Sequence, residues 1–325
     1  MKSFTFIVLA YNHEKYIIEH LESIKYLVQN YADNIEVDLI INDDKSRDLT
    51  VYLVNKWLSM NSELFRSVIK IFNNENLGTC KSLLNMINEV KTDSIKITAG
   101  DDVYSFENLF LYSFQINNNF ISGFPLDLTD NILSEKKIDI YMIISSYFIY
   151  RKKPAITRFK FPSNNNAPNM IYDINNLKDK KVKDFLNNFD VVEDLPLQIS
   201  IVRNFNSKFC LVDKVFTYYR RTSGSTFIVA GNRFYNDQIK IFDDLILNES
   251  KKVDIFLIKN RKFCFKIKNK FIKKIINISL YLFVMNVFLN FINILMMRKK
   301  INLKLNIHKQ HYEYIQSKAK IFKID

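Results

Sequence analysis

Over the first hundred positions, short continuous apolar runs alternate with longer stretches of helical spacing. Phe4-Thr5-Phe6-Ile7-Val8-Leu9-Ala10 is a run of the kind buried on both faces of a parallel sheet. Ile17, Ile18, Leu21, Ile24, Leu27 and Val28 then recur every three or four residues, which predicts a helix opening at Asn12-His13-Glu14. Ile35 to Ile41 reads as the second strand, and a helix capped by Asp48 runs through Trp57. Val68 to Phe72 is the third strand, Gly78 to Val90 the next helix, and Ile95-Lys96-Ile97-Thr98 the fourth strand. Four strands joined by helices predict an α/β fold: a mostly parallel sheet with right-handed crossovers, flanked by helices. Further on, Ile138 to Tyr150 reads as one more strand and Lys152 to Asp173, with Pro154, Pro162 and Pro168, as a mobile loop region.

The polar clusters fall where these strands end. Ala10-Tyr11-Asn12, Asn42-Asp43-Asp44-Lys45-Ser46, Asn73 to Gly78, and Ala99-Gly100-Asp101-Asp102 each follow an apolar run. Open α/β sheets bind ligands outside the carboxyl ends of their strands. Two adjacent carboxylates there form a hard-oxygen site for Mg²⁺ or Mn²⁺, an ion that such sites share with a substrate's phosphates. A solvated acidic turn is the plainer reading of Asp-Asp taken alone. No Gly-x-Gly-x-x-Gly follows the first strand, no Walker sequence occurs, and the whole chain has five glycines, so no glycine-rich cradle holds phosphate. Phosphate charge then falls to a metal at Asp101-Asp102 and to basic side chains such as Arg220-Arg221.

Charge changes the picture at the other end. The net charge is +13, yet residues 251–325 hold 18 Lys and Arg against Asp254, Glu313 and Asp325, so the preceding 250 residues are close to neutral. Within this basic, mainly helical extension, Ile278 to Met297 is twenty residues without a charge, between Lys268, Lys270, Lys273, Lys274 and Arg298-Lys299-Lys300. Twenty apolar residues are long enough to span a bilayer. Asn286, Asn290 and Asn293 at i, i+4, i+7 instead mark a polar stripe, which with basic flanks favours a helix lying in the interface of an anionic membrane. A helix buried against the rest of the chain is the third reading. Met1-Lys2 leads directly into a strand, so no signal peptide is expected. Cys80, Cys210 and Cys264 are odd in number and scattered, which fits a reducing compartment, and His308 and His311 read as surface residues.

Six segments in order resemble the family 2 glycosyltransferases of the GT-A fold. They are Ala10-Tyr11-Asn12, Asn42 to Ser46, Asn76-Leu77-Gly78 with Asn85, Ala99 to Asp102, Glu193-Asp194-Leu195, and Tyr219-Arg220-Arg221-Thr222-Ser223-Gly224-Ser225. The resemblance spans residues 3–226. It implies sugar transfer from a nucleotide diphosphate donor to an acceptor hydroxyl, with inversion, as in bacterial surface-polysaccharide assembly. By resemblance Asp102 is the metal ligand, with Asp101 beside it or on the donor sugar or ribose. Asp194 is the general base that takes the acceptor's proton, a role worth ~10²–10⁴-fold in rate, and Glu193 assists. A helix cap before Pro196 is the plainer reading of Glu193-Asp194, and the two are compatible. Tyr11 offers a flat surface to the base and Asp44 an acceptor for a ring N–H such as uracil's, which points to a UDP-sugar. Ala10 lies beside them, and Lys81 reaches the base or the phosphates. Ala99 stands where the family has the first Asp of Asp-x-Asp, and Thr222 where a histidine is common.

The expected organisation is a catalytic domain over 1–226, a helical connection over 227–250 and the basic tail over 251–325. Within the first, 1–119 would bind the nucleotide sugar and 120–226 would hold the catalytic base and the acceptor. The expected location is cytoplasmic, at the inner face of the inner membrane, with a saccharide or lipid-linked saccharide as acceptor. A catalytically inactive scaffold and a nucleic-acid-binding protein are the rival classes. The basic charge flanks an apolar stretch instead of forming a groove-tracking stripe, which argues against nucleic acid.

Overall fold

The computed structural model describes residues 1–221 and 230–322. Its central sheet has four parallel strands: β1 (Lys2–Ala10), β2 (Ile35–Asp43), β3 (Ser67–Phe72) and β4 (Ser94–Ala99). They stand in the order β3-β2-β1-β4. Helices α1 (Ile17–Tyr31), α2 (Thr50–Asn61) and α3 (Thr79–Glu89) make the crossovers. The buried faces of β1 explain its unbroken apolar run: Ile7 and Leu9 join the core with α3, while Phe4, Phe6 and Val8 join the core with α1 and α2.

Strand order reverses between β1 and β4, because β2 and β3 extend the sheet one way and β4 is added on the other side of β1. That reversal opens a crevice at the carboxyl ends of β1 and β4, the usual ligand position in open α/β sheets. Leu9 pairs with Ala99 and Ala10 with Asp43, so Tyr11, Asp44 and Asp101 leave the sheet side by side.

After β4 come β5 (Val103–Tyr104), α4 (Leu109–Ser113), β6 (Phe120–Ser122), β7 (Leu126–Thr129), β8 (Ile132–Ser134) and α5 (Lys137–Tyr150). Next are α6 (Thr157–Lys160), β9 (Met170–Ile171), α7 (Ile174–Lys178), α8 (Lys180–Leu186), α9 (Asp194–Phe205), β10 (Phe209–Leu211) and β11 (Thr217–Arg220). Two small sheets follow, β10-β6-β9 and β5-β11-β7-β8, and the second brings Asp127, Tyr219 and Arg220 to the crevice.

The stretch 138–150 is a helix, not the expected strand. Its buried residues Ile140, Ile143, Ile144 and Ile149 recur at helical spacing, and β-branched content alone misreads such a run. Residues 152–173 are also more regular than expected. They contain α6, and Asn169 of this stretch accepts the backbone N–H groups of Phe216 and Thr217 at 2.7 and 3.0 Å.

Beyond the undescribed stretch come α10 (Asn232–Leu247), α11 (Lys252–Lys266), α12 (Lys270–Ile275), α13 (Ile278–Leu289), α14 (Phe291–Lys300) and α15 (Leu305–Ala319). The last helix is not part of a detachable tail. Tyr312 and Ile315 are buried with Leu126, Leu128 and Tyr218, and Ala319 joins the core of α1 and α2. His308 and His311 are buried as well, not at the surface: the Tyr218 hydroxyl lies 2.9 and 3.1 Å from their Nδ1 atoms. Burial lowers both imidazoles, to about 4 and about 3, so they are neutral core residues.

Candidate active site

A cavity of about 600 Å³ opens at the crevice between β1 and β4. Ala10, Tyr11, Asp44, Asp101, Asp102, Glu193, Asp194, Arg220 and Arg221 all line it. Residues more than two hundred apart in sequence therefore meet in one place. Lys81 does not: it is exposed on the outer side of α3, one position after the inward-facing Cys80. Thr222, Ser223, Gly224 and Ser225 lie outside the described residues.

The loops after β1 and β2 brace each other. Asn12, held at φ +54°, accepts the Arg47 N–H at 2.8 Å, while its own N–H donates to Ser46 Oγ. Asp48 accepts the N–H of Thr50 at 3.0 Å and that of Glu14 at 3.0 Å, so it ties the first loop to the start of the second helix, whose N-cap is Leu49 and not the expected Asp48. Asp44 is equally committed. Its carboxylate accepts the N–H groups of Leu77 and Gly78 at 2.7 and 2.9 Å and the Asn73 amide at 2.9 Å. Gly78 has φ +84°, and a Cβ there would strike Asp190, so only glycine lets this loop pass. Gly100 is confined too, since a Cβ would stand 2.7 Å from Ile17.

Asp102 is 3 % exposed, and its Oδ1 accepts the backbone N–H of Arg220 at 2.8 Å. Burial, reinforced by the Asp101 charge, raises its carboxyl well above the ordinary range. Lys96 is buried behind it, its ammonium donating to the carbonyls of Ile97 and Pro168 at 2.8 and 2.9 Å. Burial lowers that amine to about 7. His13, absent from the expected site, places Nε2 4.0 Å from Asp101 Oδ1.

The arginines are engaged with protein. Arg220 Nη2 pairs with Glu19 at 2.5 Å, its Nε donates to the Asp101 carbonyl at 2.7 Å, and its guanidinium lies 4.6 Å from the Tyr16 ring. It thus shapes the acidic turn from behind, where a free phosphate-binding arginine was expected. Arg221 donates to Asp127 at 2.6 Å and Asp139 at 2.9 Å from the cavity wall.

Glu193 and Asp194 stand at the start of α9, where the helix macrodipole favours negative charge. Asp194 Oδ1 accepts the Leu195 N–H at 2.7 Å. Burial raises both carboxyl groups, Glu193 to about 8 with help from the neighbouring Asp194. Sequence reasoning missed the residue that positions them. Asp237 of α10, 1 % exposed, accepts three successive backbone N–H groups, from Asp190, Val191 and Val192, at 2.9, 2.8 and 3.2 Å. Arg233, one turn earlier, pairs with Asp190 at 2.6 Å and with Asn76 at 2.7 Å. Its only sequence signal was the amphipathic spacing of that helix.

Among the described residues, no group of three or more His, Cys, Asp or Glu side chains is arranged to hold a metal ion alone. A Mg²⁺ or Mn²⁺ site that relies on one or two carboxylates plus phosphates does not need one. Asp101 and Asp102 fit that role. Arg220 occupies one oxygen of Asp102, and among the described residues no N–H or O–H meets Asp101's carboxylate.

A parallel sheet with a crevice at its switch point and two acidic pairs in one cavity defines a nucleotide-dependent α/β enzyme. Residues 5–112 match the family described as Glycosyl transferase family 2. This segment is a family 2 glycosyltransferase domain, and the chain is a glycosyltransferase of the GT-A fold. No curated protein matches the chain significantly. Among solved structures, residues 1–349 of S. aureus TarS with UDP-GlcNAc are 20% identical at TM-score 0.56, over 88% of this chain and 82% of that one. Against the longer TarS structure this chain spans about half the length, 49%. The mannosyltransferase PcManGT from Pyrobaculum calidifontis, in complex with GDP-Man and Mn²⁺, is 13% identical at TM-score 0.53, over 98% and 86% of the two chains.

Proposed function

We propose that the protein transfers a sugar from a UDP-sugar to a saccharide hydroxyl, with inversion at the anomeric carbon. The acceptor is lipid-linked, in cell-surface polysaccharide assembly at the cytoplasmic face of the inner membrane. The observation that carries the reading is the single cavity lined by both acidic pairs, Asp101-Asp102 from the β4 turn and Glu193-Asp194 from the start of α9. The TarS complex with UDP-GlcNAc supports the choice of UDP.

In this reading Tyr11 and Ala10 border the base, and Asp44 shapes that subsite by holding the Leu77-Gly78 backbone. Asp102 and Asp101 would hold a Mg²⁺ or Mn²⁺ ion, which would supply Lewis-acid stabilisation of the charge on the leaving diphosphate. Asp194 accepts the proton of the acceptor hydroxyl as that oxygen attacks the anomeric carbon. The raised carboxyl makes it a stronger base than a free aspartate once it is ionised. Asn164 and Asn165 line the same cavity and offer amides to acceptor hydroxyls, whereas the Asn166 amide is committed to Gly123 and Asn169.

The test is a panel of UDP- and GDP-sugars incubated with and without Mn²⁺, with the released nucleotide measured. Mn²⁺-dependent release from a UDP-sugar, lost in Asp194→Asn, is expected. Mn²⁺-independent release, or release only from GDP-sugars, overturns the donor and metal assignments.

A further inference from the structure

We propose that the bent helix pair α13–α14 is a wedge that docks in one leaflet of an anionic membrane. Ile278–Leu289 and Phe291–Lys300 meet at Asn290 with a bend of 70°. Among the described residues no single helix is long and apolar enough to cross a membrane. At 1.5 Å per residue, α13 and α14 are about 18 and 15 Å long, each about half the ~30 Å hydrocarbon core.

The orientation of the pair is the decisive observation. Ser279, Phe283 and Ile294 face the protein, where Phe283 packs with Ile149 and Tyr150 of α5, and Ile294 joins the core beneath β7 and β8. Asn286 and Asn290 are half-buried and donate to carbonyls of their own helix, those of Leu282 and Asn286. Of the polar stripe read from sequence, Asn293 is exposed, but Asn286 and Asn290 do not form the solvent face. Tyr281, Met285, Phe288, Leu289, Ile292 and Met296 do, with Phe288, Leu289 and Ile292 exposed by 73%, 75% and 72%. Neighbouring α12 adds Phe271, Ile272 and Ile275, all exposed. Large apolar side chains exposed on three successive helices of a folded protein mark an interaction surface.

Charge selects the occupant. No Asp or Glu occurs between Asp254 and Glu313. Lys270, Lys274, Lys299 and Lys300 are exposed at both edges of the patch, and among the described residues none is in an ion pair. An apolar face rimmed by cations complements anionic headgroups above acyl chains, whereas a second copy would bring like charges together. The docking stands independently of sugar transfer. One consequence does rest on the transfer reading: α5, which carries the wedge, begins beside Asp139 on the cavity wall, so a lipid-borne acceptor comes within one helix length of the cavity.

The test is flotation of the full chain with vesicles of phosphatidylethanolamine and phosphatidylglycerol, against vesicles of phosphatidylcholine alone. Binding to the anionic vesicles is expected, with partition at least about tenfold weaker to the neutral ones, because each surface Lys contributes ~1 kcal/mol. The triple variant Phe288→Asp, Leu289→Asp, Ile292→Asp alters only exposed side chains. It is expected to lose flotation while its melting temperature and donor binding stay unchanged. A second variant, Lys270→Glu with Lys274→Glu, Lys299→Glu and Lys300→Glu, is expected to lose the preference for anionic vesicles. The proposal is overturned if the wild-type chain stays out of the anionic vesicle fraction, or if the apolar variant floats like wild type. It is overturned equally if the patch instead holds a lipid-independent dimer that the apolar variant dissociates.

Discussion

The Asp102 carboxylate accepts the backbone N–H of Arg220 at 2.8 Å, across 118 residues of sequence. Through this bond the closing strand β11 sets the position of the acidic turn after β4. The Arg220 side chain completes the clamp by pairing with Glu19 of α1.

Asp102→Asn tests what that carboxylate is for. The amide oxygen still accepts the Arg220 N–H, so the fold is kept. Because burial opposes the charge of Asp102, melting temperature at neutral pH is expected to hold or rise. Mn²⁺-dependent binding of a UDP-sugar, followed by titration calorimetry, is expected to fall at least about tenfold, since each 1.4 kcal/mol lost is a factor of ten. Unchanged Mn²⁺ dependence places the metal elsewhere.

Asp194→Asn retains size and polarity and removes the base. Turnover is expected to drop by ~10²–10⁴-fold with donor affinity little changed. Steady-state kinetics beside calorimetry separate the two. Wild-type turnover in this variant moves the base to Glu193.

The same pair predicts a pH profile. A base works only when deprotonated, and burial raises both groups, Glu193 to about 8. Because the base Asp194 is raised by burial, transfer is therefore expected to rise with pH above the usual carboxylate range and to fall as pH drops into it. Stability runs the other way. A carboxyl raised in the folded state holds a proton that the unfolded chain releases above ~4.3. Its contribution to stability thus declines as pH rises from about 4 towards about 8. Glu193→Gln is expected to flatten that decline in thermal melts from pH 5 to pH 9.

Asp237 is a positioning residue, and two substitutions distinguish its role. All three N–H groups converge on Oδ2. Asp237→Asn, with its carbonyl in that place, keeps the acceptor and is expected to retain activity within about tenfold. Asp237→Ala strands buried donors at about 1–3 kcal/mol each. It is expected to lower both the melting temperature and kcat, leaving KM for donor largely intact. Equal behaviour of the two variants would remove the capping role.

The last helix gives a stability prediction opposite to that of a detachable tail. Ile315 is fully buried, so Ile315→Ala is expected to cost about 2–5 kcal/mol in denaturant unfolding. Deleting residues 305–325 is expected to give an aggregating chain, because it strips α15 from the core shared with β7 and β11. A soluble, cooperatively melting truncation product would contradict this.

The central parallel sheet was legible from sequence because its signals are local. The apolar run of β1, the helical spacing of α1 and the polar clusters at strand ends are each written within ten or fifteen residues, and the sheet follows from their alternation. The acidic residues were legible for the same reason: Asp101-Asp102 and Glu193-Asp194 mark their own positions at a strand end and a helix start. Orientation and partnership were not. Asn286 and Asn290 form a polar stripe in sequence, yet which way it faces depends on Phe283 meeting Ile149 and Tyr150. Arg220 looks like a free cation until folding brings Glu19 to it. Asp237 carries no motif, because its function lies in three backbone N–H groups that reach it only through tertiary packing. Short-range periodicity thus sufficed for the alternating strands and helices of the first hundred residues. Burial and long-range hydrogen bonds, which belong to the folded chain alone, decided which charges are already paired and which face of α13 is exposed.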